Sequence, residues 1–131
     1  MREMKKKVLI DEETIAARVK ELGSEISSHY PQGNLLVIGI LKGSFVFLAD
    51  LVRSLSVSCE IDFAKISSYG SGTVSQGTLK IVLQPQVSVK DRDVILVDDI
   101  VDSGLTLCEY RKHLELQGPR TLKTAAMIDK T

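Results

Sequence analysis

The chain has 131 residues, and 17 lysines and arginines balance 17 aspartates and glutamates, so its formal charge is zero. Apolar residues make up 44% and charged residues 26%, the balance of one globular domain that can bury a core without a metal or disulfide staple. The neutral charge argues against a dedicated nucleic-acid binder, and the longest apolar run, Leu35 to Leu41, is far too short for a membrane span.

Lys5, Lys6 and Lys7 are followed only by Val8, Leu9 and Ile10 before Asp11, so there is no export core. Residues 11–29 predict a helix. Asp11 is a candidate N-cap, Glu12 and Glu13 suit the positive end of the dipole, and Ile15, Val19, Leu22 and Ile26 form one apolar face. Tyr30-Pro31-Gln32-Gly33 stops it. Leu35 to Ile40 is a continuous apolar run, as expected of a strand buried on both faces. Leu41-Lys42-Gly43-Ser44 predicts a short loop, and Phe45 to Leu55 a second helix. Val57, Cys59, Ile61 and Phe63 alternate with Ser58, Glu60 and Asp62, which predicts a half-exposed strand to about Ile66. Ser67 to Gln76 has the Ser/Gly composition of a mobile loop. Thr78 to Leu83 predicts a strand ended near Pro85, and Val94 to Val97 a second buried-type strand. Leu105 to Leu116 predicts a helix closed by Gly118-Pro119, and Leu122 to Ile128 a last strand.

Strands alternating with helices predict a single α/β domain over 1–131, a mostly parallel twisted sheet with helices on both faces. Such sheets bind ligands beyond the carboxyl ends of their strands, which directs attention to loops 41–44 and 98–106. Cys59 and Cys108 form no metal-ligand spacing and read as buried structural thiols of a reduced, cytoplasmic protein. His29 and His113 are isolated, so a histidine metal site or triad has no support.

The chemistry concentrates in Val94-Ile95-Leu96-Val97-Asp98-Asp99-Ile100-Val101-Asp102-Ser103-Gly104-Leu105-Thr106. Backbone N–H groups opening a helix lack internal partners, and Gly104 lets the chain approach an anion closely, so Ser103 to Thr106 have the makings of a phosphate cradle. Three carboxylates beside a bare phosphate would repel it. They make sense if the ligand also brings hydroxyls or Mg²⁺, as a ribose 5-phosphate group does. Without the rest of the string, Asp102 or Ser103 would read as a helix cap and Asp98 and Asp99 as solvated loop residues.

The segment resembles the phosphoribosyl-pyrophosphate signature of type I phosphoribosyltransferases. Leu41-Lys42-Gly43 resembles the pyrophosphate loop of that family, and Ser67-Ser68-Tyr69-Gly70 the catalytic loop of its hypoxanthine(-guanine) branch. The resemblance implies purine salvage: a hypoxanthine or guanine base and phosphoribosyl pyrophosphate give the nucleoside monophosphate and pyrophosphate, with Mg²⁺ as cofactor. It implies that Asp98 and Asp99 hold the ribose hydroxyls, directly or through Mg²⁺ and water. Asp102 would be the general base, Ser103, Gly104, Leu105 and Thr106 would wrap the 5-phosphate, and Leu41, Lys42 and Gly43 would bind pyrophosphate. Ser68 and Tyr69 would close over the site, excluding water. Relatives often carry Lys at position 105, where this chain has Leu. The resemblance further implies a homo-oligomer, dimer or tetramer, with no nucleic-acid or membrane partner.

Family members continue past the position of Thr131 into a segment that supplies a base-reading lysine, a stacking aromatic and an acidic Mg²⁺ contact. The domain is therefore expected to be incomplete at its C-terminus, to bind the phosphate end of its ligand, and to turn over purine weakly by itself. The rival readings are a xanthine-guanine or other phosphoribosyltransferase, a non-catalytic sugar-phosphate-binding remnant, and an RNA-binding regulator on the same fold.

Overall fold

The computed structural model describes residues 12–41, 44–68, 79–101 and 105–129. They form α1 (Glu12–His29), β1 (Leu35–Ile40), α2 (Phe45–Ser54), β2 (Cys59–Ser68), β3 (Leu79–Leu83), β4 (Asp93–Val101), α3 (Leu105–Glu115) and β5 (Thr121–Asp129). The strands make one sheet in the order β3-β2-β1-β4-β5. β1 pairs in parallel with β2 and β4, β4 in parallel with β5, and only the edge strand β3 runs antiparallel to its neighbour. The predicted α/β sheet is thus observed, and the continuous apolar sequence of β1 has its reason: all six of its residues are buried.

Alternation along the strands splits the core into two layers. Leu35 and Val37 of β1 and Ile95 and Val97 of β4 face α1 and α2, where Val19, Ile26, Phe47, Leu48 and Leu51 are buried. Leu36, Ile38 and Ile40, with Val94 and Leu96, face α3, where Leu107, Tyr110 and Leu114 close the other layer. The helices α1 and α2 meet at Gly23, where an added Cβ would stand 2.5 Å from Ser54 Cβ and 2.8 Å from the Ser54 carbonyl oxygen. Positive φ angles at Gly33 (71°) and Gly118 (82°) turn the chain after α1 and α3, a conformation glycine adopts without the cost of a Cβ.

Two polar networks fasten the amino ends of the strands. Asp93 is buried and accepts hydrogen bonds from Arg120 Nε at 3.0 Å, from Arg120 Nη2, and from Thr121 Oγ1 at 2.9 Å. The Arg120 guanidinium, aided by Thr121, holds its carboxyl below the ordinary carboxylate range. Beside it, Arg92 donates to Glu60 Oε1 at 3.0 Å and reaches the Asn34 and Leu35 carbonyls. Both networks lie at the opposite end of the sheet from the loops singled out for ligand binding.

Three expectations change. Asp98 and Asp99 do not open a loop: β4 continues through them to Val101, because β5 goes on pairing with it as far as Val101↔Asp129. β2 likewise runs past Ile66 to Ser68, held by the antiparallel partner β3. Of the two thiols, both expected to be buried, Cys59 is half-buried and pushed up by that burial, and Cys108 is exposed on α3. Asp11 as N-cap lies outside the described residues.

Candidate active site

From β1 the chain builds outward through β2 and β3, then returns to place β4 on β1's other flank. The boundary between β1 and β4 is therefore the topological switch point, where connections leave in opposite directions and a crevice opens at the carboxyl ends of the strands. The strand pairing ends at different heights on the two sides of β4. The β1–β4 ladder ends at Gly39↔Val97, while β4 stays paired with β5 to Val101↔Asp129.

On the β1 bank, Leu41 is half-buried and its N–H donates to the Ala64 carbonyl of β2 at 2.8 Å. Because successive strand residues bond to opposite neighbours, the Ile40 carbonyl one position earlier is directed toward β4. It accepts instead from the Ser44 hydroxyl. Ser44 stands directly before α2 in the position where serine ordinarily caps a helix, yet it makes no side-chain cap bond. Gly39 makes room for this packing: a Cβ there would meet Leu48 Cδ1 at 2.7 Å and Ser44 Oγ at 3.2 Å.

On the other bank, Asp98 is half-buried, opposite Ala126, in strand register with Val94 and Leu96 on the α3 face. Asp99 follows it in the strand, and Leu105 and Thr106 are the first two residues of α3. A carboxylate such as that of Asp98 is an oxygen donor of the kind a hard cation takes. No group of three or more His, Cys, Asp or Glu gathers among the described residues. Ser68 ends β2, paired with Leu79 of β3, so the two strands frame the 69–78 stretch. Lys42, Gly43, Tyr69, Asp102, Ser103 and Gly104 lie outside the described residues.

Behind the crevice, Asp62 of β2 accepts hydrogen bonds from the N–H groups of Phe63 at 2.8 Å, Gln86 at 2.8 Å and Val87 at 2.9 Å. Burial, reinforced by the Asp62 charge, pushes the Tyr110 phenol of α3 up to about 12. Neither Ser44 nor Asp62 stands out in the sequence. Ser44 carries the signal of an ordinary cap, and Asp62 that of an outward member of an alternating strand.

A phosphoribosyl transferase domain model matches residues 7–131, nearly the whole chain. The hypoxanthine-guanine phosphoribosyltransferase of Aquifex aeolicus is 45% identical over 131 residues, covering 99% of this chain and 74% of that protein. The chain belongs to the hypoxanthine-guanine phosphoribosyltransferase family. The Escherichia coli hypoxanthine phosphoribosyltransferase is 41% identical over 125 residues, covering 94% of this chain and 70% of its own. Among solved structures of phosphoribosyltransferases, that of a Bacillus anthracis hypoxanthine-guanine enzyme superposes with a TM-score of 0.90 at 40% identity, over 96% of this chain and 75% of that one. A Staphylococcus aureus hypoxanthine phosphoribosyltransferase gives 0.90 at 35% identity, over 95% and 67%. The phosphoribosyltransferase fold and the enzyme class expected from the segment 94–106 are both met.

Proposed function

We propose that this chain works in purine salvage, transferring the phosphoribosyl group of phosphoribosyl pyrophosphate to hypoxanthine or guanine. The supporting observation is the crevice at the β1–β4 switch point, with the 41–44 turn on one bank and the end of β4 running into α3 on the other. A ligand with a phosphate at each end and hydroxyls between matches that layout.

In this reading the backbone amides and hydroxyls of Ser103, Gly104, Leu105 and Thr106 hold the 5-phosphate at the start of α3. Asp98 and Asp99 accept hydrogen bonds from the ribose hydroxyls. Leu41, Lys42 and Gly43 receive the pyrophosphate. The bond between the anomeric carbon and pyrophosphate breaks with its electron pair leaving on the pyrophosphate oxygen, and a purine nitrogen forms the new bond to that carbon. Asp102 takes the proton that the purine gives up. Ser68 and Tyr69 cover the reacting atoms, because positive charge building on the sugar must be kept from water. Asp98 and Asp99 would hold Mg²⁺, directly or through ribose hydroxyls and water, and the ion would supply neutralisation of the leaving group's charge.

Calorimetric titration with phosphoribosyl pyrophosphate in the presence of Mg²⁺ tests the site, and a coupled assay with several purine bases tests the reaction. Asp102→Asn is expected to lower turnover by about a hundredfold or more while keeping phosphoribosyl pyrophosphate affinity within about threefold. Undiminished turnover would remove Asp102 as the base, and a chain that does not take up phosphoribosyl pyrophosphate would remove the site.

A further inference from the structure

Tyr110 of α3 is 0% exposed, and its hydroxyl has no hydrogen-bond partner among the described residues. A buried hydroxyl left unpaired costs free energy, so protein interiors ordinarily pair it with another group or with an internal water. Burial and the Asp62 charge hold the proton on this phenol to about pH 12. At neutral pH the group is therefore a donor that calls for an acceptor.

The Asp62 carboxylate has one acceptor position to spare. A carboxylate offers about four, and three are taken. Oδ2 accepts from the Gln86 and Val87 amides, whereas Oδ1 accepts only from the Phe63 amide. No direct bond joins the phenol to it. Between α3 and the connection from β3 to β4 lies a cavity of about 30 Å³, lined by Gln84, Val87, Tyr110, His113, Leu114 and Gln117 among others. One water needs about 10–15 Å³ of such space and at least two polar partners. A purely apolar cavity of that size would stay dry, but this one has amide, imidazole and phenol groups among its lining residues. Val87 belongs to both features: it lines the cavity, and its N–H is bonded to Asp62 at 2.9 Å.

We propose that this cavity is a binding site for one internal water, which accepts the Tyr110 O–H and donates to the free position on Asp62 Oδ1. The water's second hydrogen is left for a lining amide such as that of Gln84, which completes the usual set of about three bonds. Through this water α3 is fastened to β2 and, by way of the Gln86 and Val87 amides on Asp62, to the connection that leads into β4. The assignment stands apart from the proposed reaction and does not depend on it.

Two measurements test it. The first is a crystal structure of the parent chain at a resolution that shows ordered water. It is expected to show a water within hydrogen-bond distance of both Tyr110 Oη and Asp62 Oδ1. A dry cavity, a water that does not touch the phenol, or a phenol bonded directly to the carboxylate would each overturn the inference. The second is urea unfolding of the parent and Tyr110→Phe near pH 7, where the sign of the change decides. Loss of a water-bridged hydroxyl is expected to lower the folding equilibrium constant about two- to tenfold, the scale of one buried hydrogen bond. Removing a hydroxyl that has no partner would instead leave the constant unchanged or raise it, and either result would overturn the inference. The parent crystal structure needs no variant, so it decides the matter even if Tyr110→Phe does not fold.

Discussion

Replacing Gly23 by alanine sets two effects of opposite sign against each other. In an exposed helix interior, glycine to alanine stabilises by about 1 kcal/mol, because alanine loses less backbone freedom on folding. At this position the new Cβ would stand 2.5 Å from Ser54 Cβ, 2.8 Å from the Ser54 oxygen and 2.9 Å from its carbonyl carbon. Two of those three atoms are backbone, so no side-chain rotation relieves the overlap and α1 must move away from α2. Overpacking of this kind costs about 1–3 kcal/mol, and the severity of three sub-3 Å contacts argues for the upper part of that range. The net expectation is destabilisation by about 1–2 kcal/mol, read as a lower urea midpoint at unchanged slope. A higher midpoint for Gly23→Ala would mean that the helix-propensity gain acts alone, and would refute the close α1–α2 contact.

Two pH effects follow from the buried groups. The Asp93 carboxyl lies below its ordinary value of 3.8, so its contribution to stability is present above that pH and fades as pH falls through the folded-state value. Asp93→Asn should therefore melt lower than the parent at neutral pH and converge on it as pH falls below 3.8; a gap that persists in strong acid would detach the effect from ionisation. The Tyr110 phenol lies at about 12 against an ordinary 10, so its contribution is intact below pH 10 and lost as pH rises toward 12. Tyr110→Phe should flatten the fall of the urea midpoint across that alkaline window, and parallel decline in parent and variant would count against burial of the phenol.

The sequence discloses those parts of the fold that depend on neighbours along the chain. Leu35 to Ile40 reads as a doubly buried strand because six apolar residues in a row fit no other environment of that length, and the structure places β1 over those residues. The face of α1 is equally legible: Val19 and Ile26 are buried, with Ile15 and Leu22 packed against them. What depends on distant partners is not legible. The end of β4 is set by β5, so Val94 to Val97 shows only the apolar half of a strand that also carries Asp98 and Asp99. Asp62 has two of its three donors 24 and 25 residues away, and Arg92 reaches Glu60 across 32 residues. The family was legible through its strongest local string, residues 94–106, whereas the bond from Ser44 to the Ile40 carbonyl was hidden behind the ordinary look of a helix cap. The exposure of Cys108 was hidden for the same reason: a single residue on a helix declares its side only once the packing partner of that helix is known.

The Asp62 carboxylate has a mechanical consequence. It ties the Gln86 and Val87 amides to β2 almost as soon as the chain has left β3, and well before β4 begins at Asp93. The route from the hairpin arms to the acid-bearing strand is thus interrupted by a rivet into the sheet. Insertions or substitutions between residues 69 and 78 would be absorbed by the β2–β3 pair and would not tug β4 out of register. Evolution could retune one wall of the crevice while the opposite wall kept its alignment.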